Sequence, residues 1–180
     1  MKVVLVTGLP GVGKTTIIKE AMKRINFTYI NAGDIVSSFL KMDRDKILDL
    51  YIKSPSLYRK MQDILKKAIK KRAKGLTIVD THLLFYKNNI LIPGVTRDFV
   101  NNLNVRAVTY IYAPPKLILE RRKKDKRKRP EININDLEKW LTLSMNMLIP
   151  ILFEEKIVKI IENIELEKAV NEFIEFVTSL

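Results

Sequence analysis

A chain that carries Gly8-Leu9-Pro10-Gly11-Val12-Gly13-Lys14-Thr15 directly after Val3-Val4-Leu5-Val6 has few folds open to it. The octapeptide has the form G-x-x-x-x-G-K-[ST], a backbone able to curl so that successive N–H groups face one anion. The residues before it are continuously apolar and mostly β-branched, as in a parallel strand buried on both faces. After it, Ile17, Ile18, Ala21, Met22 and Ile25 recur at the helical period. Strand, loop and helix in that order turn the helix's positive N-terminal end towards whatever the loop holds. Residues Gly8 to Thr16 are therefore expected to bind nucleotide phosphates. Lys14 would reach the β- and γ-phosphate oxygens, and the Thr15 hydroxyl would take a position on Mg²⁺.

Downstream, apolar strands alternate with helices. Phe27–Ile30, Leu76–Asp80, Val105–Tyr112 and Ile157–Ile161 read as four further strands. Ser54-Pro55 reads as N-cap and first helical position, and Gly75 as the glycine after that helix's basic end. Asn135-Asp136-Leu137-Glu138 has the form of a capping box, and Pro150 should kink or shorten the helix behind it. Residues 81–94 read as a loop. Neither repeats nor linkers interrupt the series, which predicts one α/β domain over 1–180, a three-layer phosphate-loop fold with a five-stranded parallel sheet. Ligands in such folds gather at the carboxyl ends of the strands, which brings Asp34, Asp80 and the residues beyond Asp80 to one crevice.

Asp80 closes a buried strand, where a carboxylate can orient Mg²⁺ or its waters beside Thr15, or else cap a turn. His82 follows it on the same side and is either a hydrogen-bonded structural residue or a catalyst. Asp34 can contact an acceptor or cap the next helix.

Composition narrows the classes. There is no cysteine, so no disulfide, thiolate nucleophile or cysteine-bound metal, and a lone histidine does not make a zinc site. No apolar run approaches the roughly 20 residues of a membrane span, so a cytoplasmic protein without membrane contact is expected. The net charge is +13, of which Arg121 to Arg129 (RRKKDKRKR) supplies +7 from eight basic side chains and one acid. Like charges crowded before Pro130 suit a segment that closes when polyphosphate arrives; a solvated helix face or a nucleic-acid patch are the other readings.

Taken together, GLPGVGKTT, NAGD at 31–34, DRD at 43–45, VDTH at 79–82, IPG at 92–94, the Arg121–Arg129 segment and VKIIEN at 158–163 resemble the archaeal-type adenylate kinases in order. The resemblance implies Mg-dependent phosphoryl transfer from ATP to AMP, giving two ADP, and a homotrimer. It implies an acceptor-binding helical segment about 31–74 and a lid about 121–132. It makes Arg121, Arg127 and Arg129 phosphate-contacting lid arginines and Asn163 an adenine-side residue, a position that equally suits the N-cap of the last helix. Familiar members carry threonine and arginine where this chain has Ala32 and Ser37, and basic residues where it has Leu48 and Tyr86. Candidates for the acceptor side are accordingly Asp34, Arg44, Arg59, His82, Lys87 and Arg97. A kinase for another nucleoside monophosphate, a hydroxyl-acceptor kinase using Asp34 as base, and an RNA-associated ATPase remain alternatives. No N-K-x-D motif supports a GTPase.

Overall fold

The computed structural model describes residues 2–87, 89–125 and 131–180, leaving aside the side chains at 44, 45 and 153. Strand β1 (Lys2–Thr7) leads through the glycine loop into helix α1 (Lys14–Met22), and β2 (Thr28–Asn31) follows. Helices α2 (Ala32–Leu40), α3 (Arg44–Lys53) and α4 (Pro55–Arg72) then run in succession to β3 (Leu76–Asp80). Next come β4 (Leu84–Lys87), β5 (Ile90–Pro93), α5 (Arg97–Asn102) and β6 (Val105–Tyr112). The chain ends with α6 (Pro115–Lys124), α7 (Ile134–Asn146), α8 (Leu148–Phe153), β7 (Ile157–Glu162) and α9 (Leu166–Ser179).

Five strands form one sheet in the order β2-β3-β1-β6-β7, and every pairing in it is parallel. This is the α/β fold that the alternation predicts. Because side chains alternate across a strand, β1 feeds two cores. Val3 and Leu5 pack with residues of α2 to α5 and α8, while Val4 and Val6 pack with α1, α6, α7 and α9. All four are fully buried. Each such side chain contributes about 1.5–3 kcal/mol of transfer free energy, so the strand that aims the phosphate loop is also the hub of the fold.

Local signals mostly hold, with shifts that have identifiable causes. Ser54 Oγ accepts from the Leu57 N–H and Pro55 sits in the first turn of α4, as expected. That helix ends on Ala73, so Gly75 lies one residue beyond the expected position and makes the left-handed turn (φ 55°) into β3. The cap of α7 is Asn133 rather than Asn135; its Oδ1 accepts from the Asp136 N–H at 2.8 Å. The helical run breaks at Met147, and Pro150 falls in the first turn of α8, where a missing N–H leaves no intrahelical bond unmade.

The main departure is within 81–94. In place of a plain loop, β4 and β5 pair as an antiparallel hairpin, with Asn89 left-handed at its turn (φ 60°). The hairpin is anchored at both strands. Trp140 Nε1–H donates to the Leu84 carbonyl at 3.1 Å, and Tyr58 O–H to the Pro93 carbonyl at 2.6 Å. Phe85, Tyr86 and Lys87 consequently stand along the rim of the crevice formed where β1, β2 and β3 end.

Candidate active site

The phosphate loop begins where β1 ends and passes through three glycines at positive φ, Gly8, Gly11 and Gly13. Gly13 shows why the residue type is required. It caps α1 at φ 94°, and a Cβ there would lie 2.3 Å from Asn163 Nδ2. No side chain caps α1 and no acid stands in its first turn, so its N-terminal N–H groups face the cleft as anion donors. Lys14 is buried, with Nζ donating to the Gly8 and Leu9 carbonyls at 2.8 and 3.2 Å, which fixes its ammonium within the curve of the loop. Pro10, Gly11, Gly13, Lys14, Thr15 and Thr16 line the cleft. Leu9 and Val12 instead anchor the loop in the core behind it.

Opposite Thr15 stands Asp80, which is 5% exposed. Thr15 O–H donates to Asp80 Oδ2 at 3.2 Å, and the same oxygen accepts from Tyr29 O–H at 3.3 Å and Asn31 Nδ2–H at 3.2 Å. Burial, with the charges of Asp80 and Asp34 adding to it, raises the Tyr29 pKa, so the phenol stays a donor. A hydroxyl beside a buried carboxylate is a hard oxygen set, and it suits Mg²⁺ carried by nucleotide phosphates. Among the described residues no cluster of three or more acids, histidines or cysteines forms a protein-only metal cage. The fold thus brings Asp80 and Thr15 together at the cleft. Tyr29 and Asn31 escaped the sequence reading, because Asn31 meets Asp80 only once β2 pairs with β3.

His82 lies in the same cleft but bonds to the loop. Its Nδ1–H donates to the Gly8 carbonyl at 2.8 Å, and its ring meets Phe85 edge-on at 5.4 Å between centroids. On the far wall, Arg121 donates to the Val12 carbonyl at 3.1 Å and to the Asn163 carbonyl at 2.9 Å. Burial lowers its pKa, yet guanidinium remains charged at neutral pH. Asn163 is buried against the loop, with Nδ2–H donating to the Val12 carbonyl at 2.7 Å; it does not cap α9, whose N-cap is Glu165. Arg122 and Lys124 also line the cleft. Arg127 and Arg129 lie outside the described residues.

Away from the loop, the cleft, about 960 Å³ in all, is bounded by Val36, Ile47, Tyr51, Leu65 and Phe85. Lys87 also lines the cleft, 2.5 Å from Asp49 of α3. The other acceptor-side candidates are placed differently. Asp34 is an exposed first-turn residue of α2, and the cap is Asn31, whose Oδ1 accepts the Asp34 N–H at 3.1 Å. Arg59 is exposed on α4 and does not line the cleft. Arg97 pairs through Nε with Glu154, drawn there because α5 packs on α8, and it too is absent from the cleft wall. The Arg44 side chain lies outside the described residues. The arrangement can hold a nucleoside triphosphate at the loop and a second, partly apolar ligand facing its terminal phosphate.

Comparison with known proteins gives a consistent result. The model of the family described as AAA domain matches residues 7–138. The curated adenylate kinase of Pyrococcus furiosus is 35% identical, covering 96% of this chain and 93% of that protein. That of Methanopyrus kandleri is 32% identical, covering 99% and 98%. Among solved structures, the shikimate kinase from Acinetobacter baumannii in complex with shikimate superposes with a TM-score of 0.65 at 17% identity, over 99% of this chain and 94% of that one. A gluconokinase from Sinorhizobium meliloti does so at 0.56 and 12% identity, over 99% and 92%. At such identities the structural likeness concerns the fold alone.

Proposed function

This chain belongs to the adenylate kinase family, and we propose that it moves a phosphoryl group reversibly from Mg·ATP to AMP, leaving two ADP. One observation carries the assignment of sites. A single cleft joins the phosphate loop to the apolar pocket under α2, α3 and α4, so donor and acceptor can lie end to end. We read residues 1–180 as one domain, with 31–74 as the acceptor segment and 121–132 as the lid.

In this reading the loop N–H groups and Lys14 hold the β- and γ-phosphates of ATP. Asn163 and Arg121, tied to the Val12 carbonyl, keep the loop's curvature on the nucleoside side. Thr15 and Asp80 are the residues that would hold Mg²⁺ or its waters; when bound, the ion neutralises charge on the phosphate oxygens. Arg121 adds cationic charge at the same centre, and Arg127 and Arg129 do so by resemblance. The acceptor base lies against Val36, Tyr51 and Leu65, and Lys87 faces its phosphate. A monophosphate is already anionic at neutral pH, so the transfer needs no base. The exposed position of Asp34 argues against its serving as a base towards a hydroxyl acceptor.

The test is a product analysis with Mg·ATP and each of AMP, CMP, UMP and GMP. ADP should accumulate from ATP and AMP together, in equal molar contribution from each. In Lys87→Met the KM for AMP should rise about 10- to 100-fold, the loss of one charge-assisted contact of about 1.5–3 kcal/mol, with the KM for ATP unchanged. ATP hydrolysis indifferent to every monophosphate would sink the reading and bring an RNA-associated ATPase forward. The resemblance also supports a cytoplasmic homotrimer. Light scattering should give a trimer mass, and a monomer mass at micromolar protein would refute it.

A further inference from the structure

Parallel pairing of β2 with β3 sets Asn31 opposite Asp80, and Tyr29, two residues earlier, shares their face. The consequence is a carboxylate oxygen with three donors from two elements: Thr15 from α1, and Tyr29 and Asn31 from β2. Asn31 is used at both ends. Its Nδ2–H donates to Asp80 and, at 3.2 Å, to the Tyr29 oxygen, while its Oδ1 caps α2 by accepting the Asp34 N–H. The first helix of the acceptor segment is thereby bonded, through one side chain, to the carboxylate on the metal side of the loop.

We infer that Asn31 and Tyr29 are positioning residues for the Asp80 carboxylate, and that Asn31 ties divalent-cation affinity to the seating of α2. The inference rests on the metal role proposed for Thr15 and Asp80, but not on AMP being the acceptor. The chemistry is specific. A carboxylate oxygen that accepts three hydrogen bonds is held in one rotamer, so its partner oxygen presents a fixed lone pair to the ion or its water. With the amide removed, Asp80 keeps Thr15 and Tyr29 as donors but loses the one that also caps α2, and its carboxylate is held less firmly. Residues that orient a metal-side group typically cost 10–100-fold in metal affinity when lost.

The variants separate this role from capping. Asn31→Ser keeps an N-cap oxygen for α2 and removes the amide donor. Tyr29→Phe removes a donor that caps nothing. The readout is Mn²⁺ affinity of the ADP-bound protein, measured by electron paramagnetic resonance, alongside thermal midpoint and AMP affinity. About a tenfold weaker Mn²⁺ affinity is expected in Asn31→Ser, with a smaller loss in the same direction in Tyr29→Phe and helix content unchanged in both. Wild-type Mn²⁺ affinity in Asn31→Ser overturns the inference, whatever Tyr29→Phe does, because Asn31 is then a cap only. Wild-type affinity in Asp80→Asn would instead remove the metal role itself, and transfer to AMP is scored separately by product analysis.

Discussion

Lys14→Ala is expected to lower the rate of ADP formation from ATP and AMP by about 10³-fold, leaving a folded protein. The magnitude follows from the site. Removing a single preorganised donor from a transition-state charge costs about 10²–10³-fold, and Lys14 is a full cation as well as a donor. It is also buried, with its ammonium fixed by the Gly8 and Leu9 carbonyls, so no other side chain on the loop can take its place without rebuilding the turn. Those two carbonyls lose their donor in the variant, a stability cost of about 1.5–3 kcal/mol that the double-cored strand β1 can absorb. The measurement is a single-turnover rate at saturating ATP and AMP, with circular dichroism on the same sample. A rate within tenfold of wild type would mean that the loop's N–H groups and Arg121 carry the charge alone. Should AMP affinity fall while the rate held, Lys14 would belong to the acceptor side instead.

The difference between what was legible in the chain and what was not is physical. Val3–Val6, Leu76–Asp80 and Val105–Tyr112 could be read because strands buried on both faces are mostly apolar runs, and these residues are buried apart from exposed Arg106 and half-buried Leu76 and Tyr112. The hairpin at 84–93 escaped. Its runs are four residues each and half exposed, too short for alternation to stand out, although the Asn88-Asn89 pair between them was an available turn signal. Lys14, Thr15 and Asp80 were legible because a loop of fixed length and a strand end leave them one place to go. Basic residues on the acceptor side were not. Arg97 and Arg59 sit on helices whose orientation is decided by tertiary packing, and Glu154, remote in sequence, claims Arg97. Asn31 shows the same limit from the other side. Its value depends on the register of β2 against β3, which no local pattern states.

Gly94→Ala should be strongly destabilising although it adds only a methyl group, costing about 3 kcal/mol and lowering the thermal midpoint by roughly 10 °C. Gly94 ends the Ile92-Pro93-Gly94 stretch, and its requirement is for space, since its φ is not left-handed. A Cβ there would lie 1.9 Å from the His82 carbonyl oxygen and 2.9 Å from its carbon. That contact is with backbone, so no side-chain rotation relieves it, and the peptide after His82 has to move. Movement is costly on two counts. Leu83 follows in the core, 1% exposed, and its carbonyl accepts the Gly94 N–H at 2.8 Å. His82 carries the bond to the Gly8 carbonyl that braces the phosphate loop. Nucleotide affinity should therefore fall together with stability. Gly75→Ala is the proper control. That residue is left-handed at φ 55°, but an added Cβ meets nothing within 4 Å, so only conformational strain of about 1–2 kcal/mol applies. Urea unfolding of both variants, with ADP titrations beside it, separates the two causes. Equal losses of stability with nucleotide affinity intact in both would show that the 81–94 segment yields freely, and that the brace from His82 to Gly8 does not depend on Gly94.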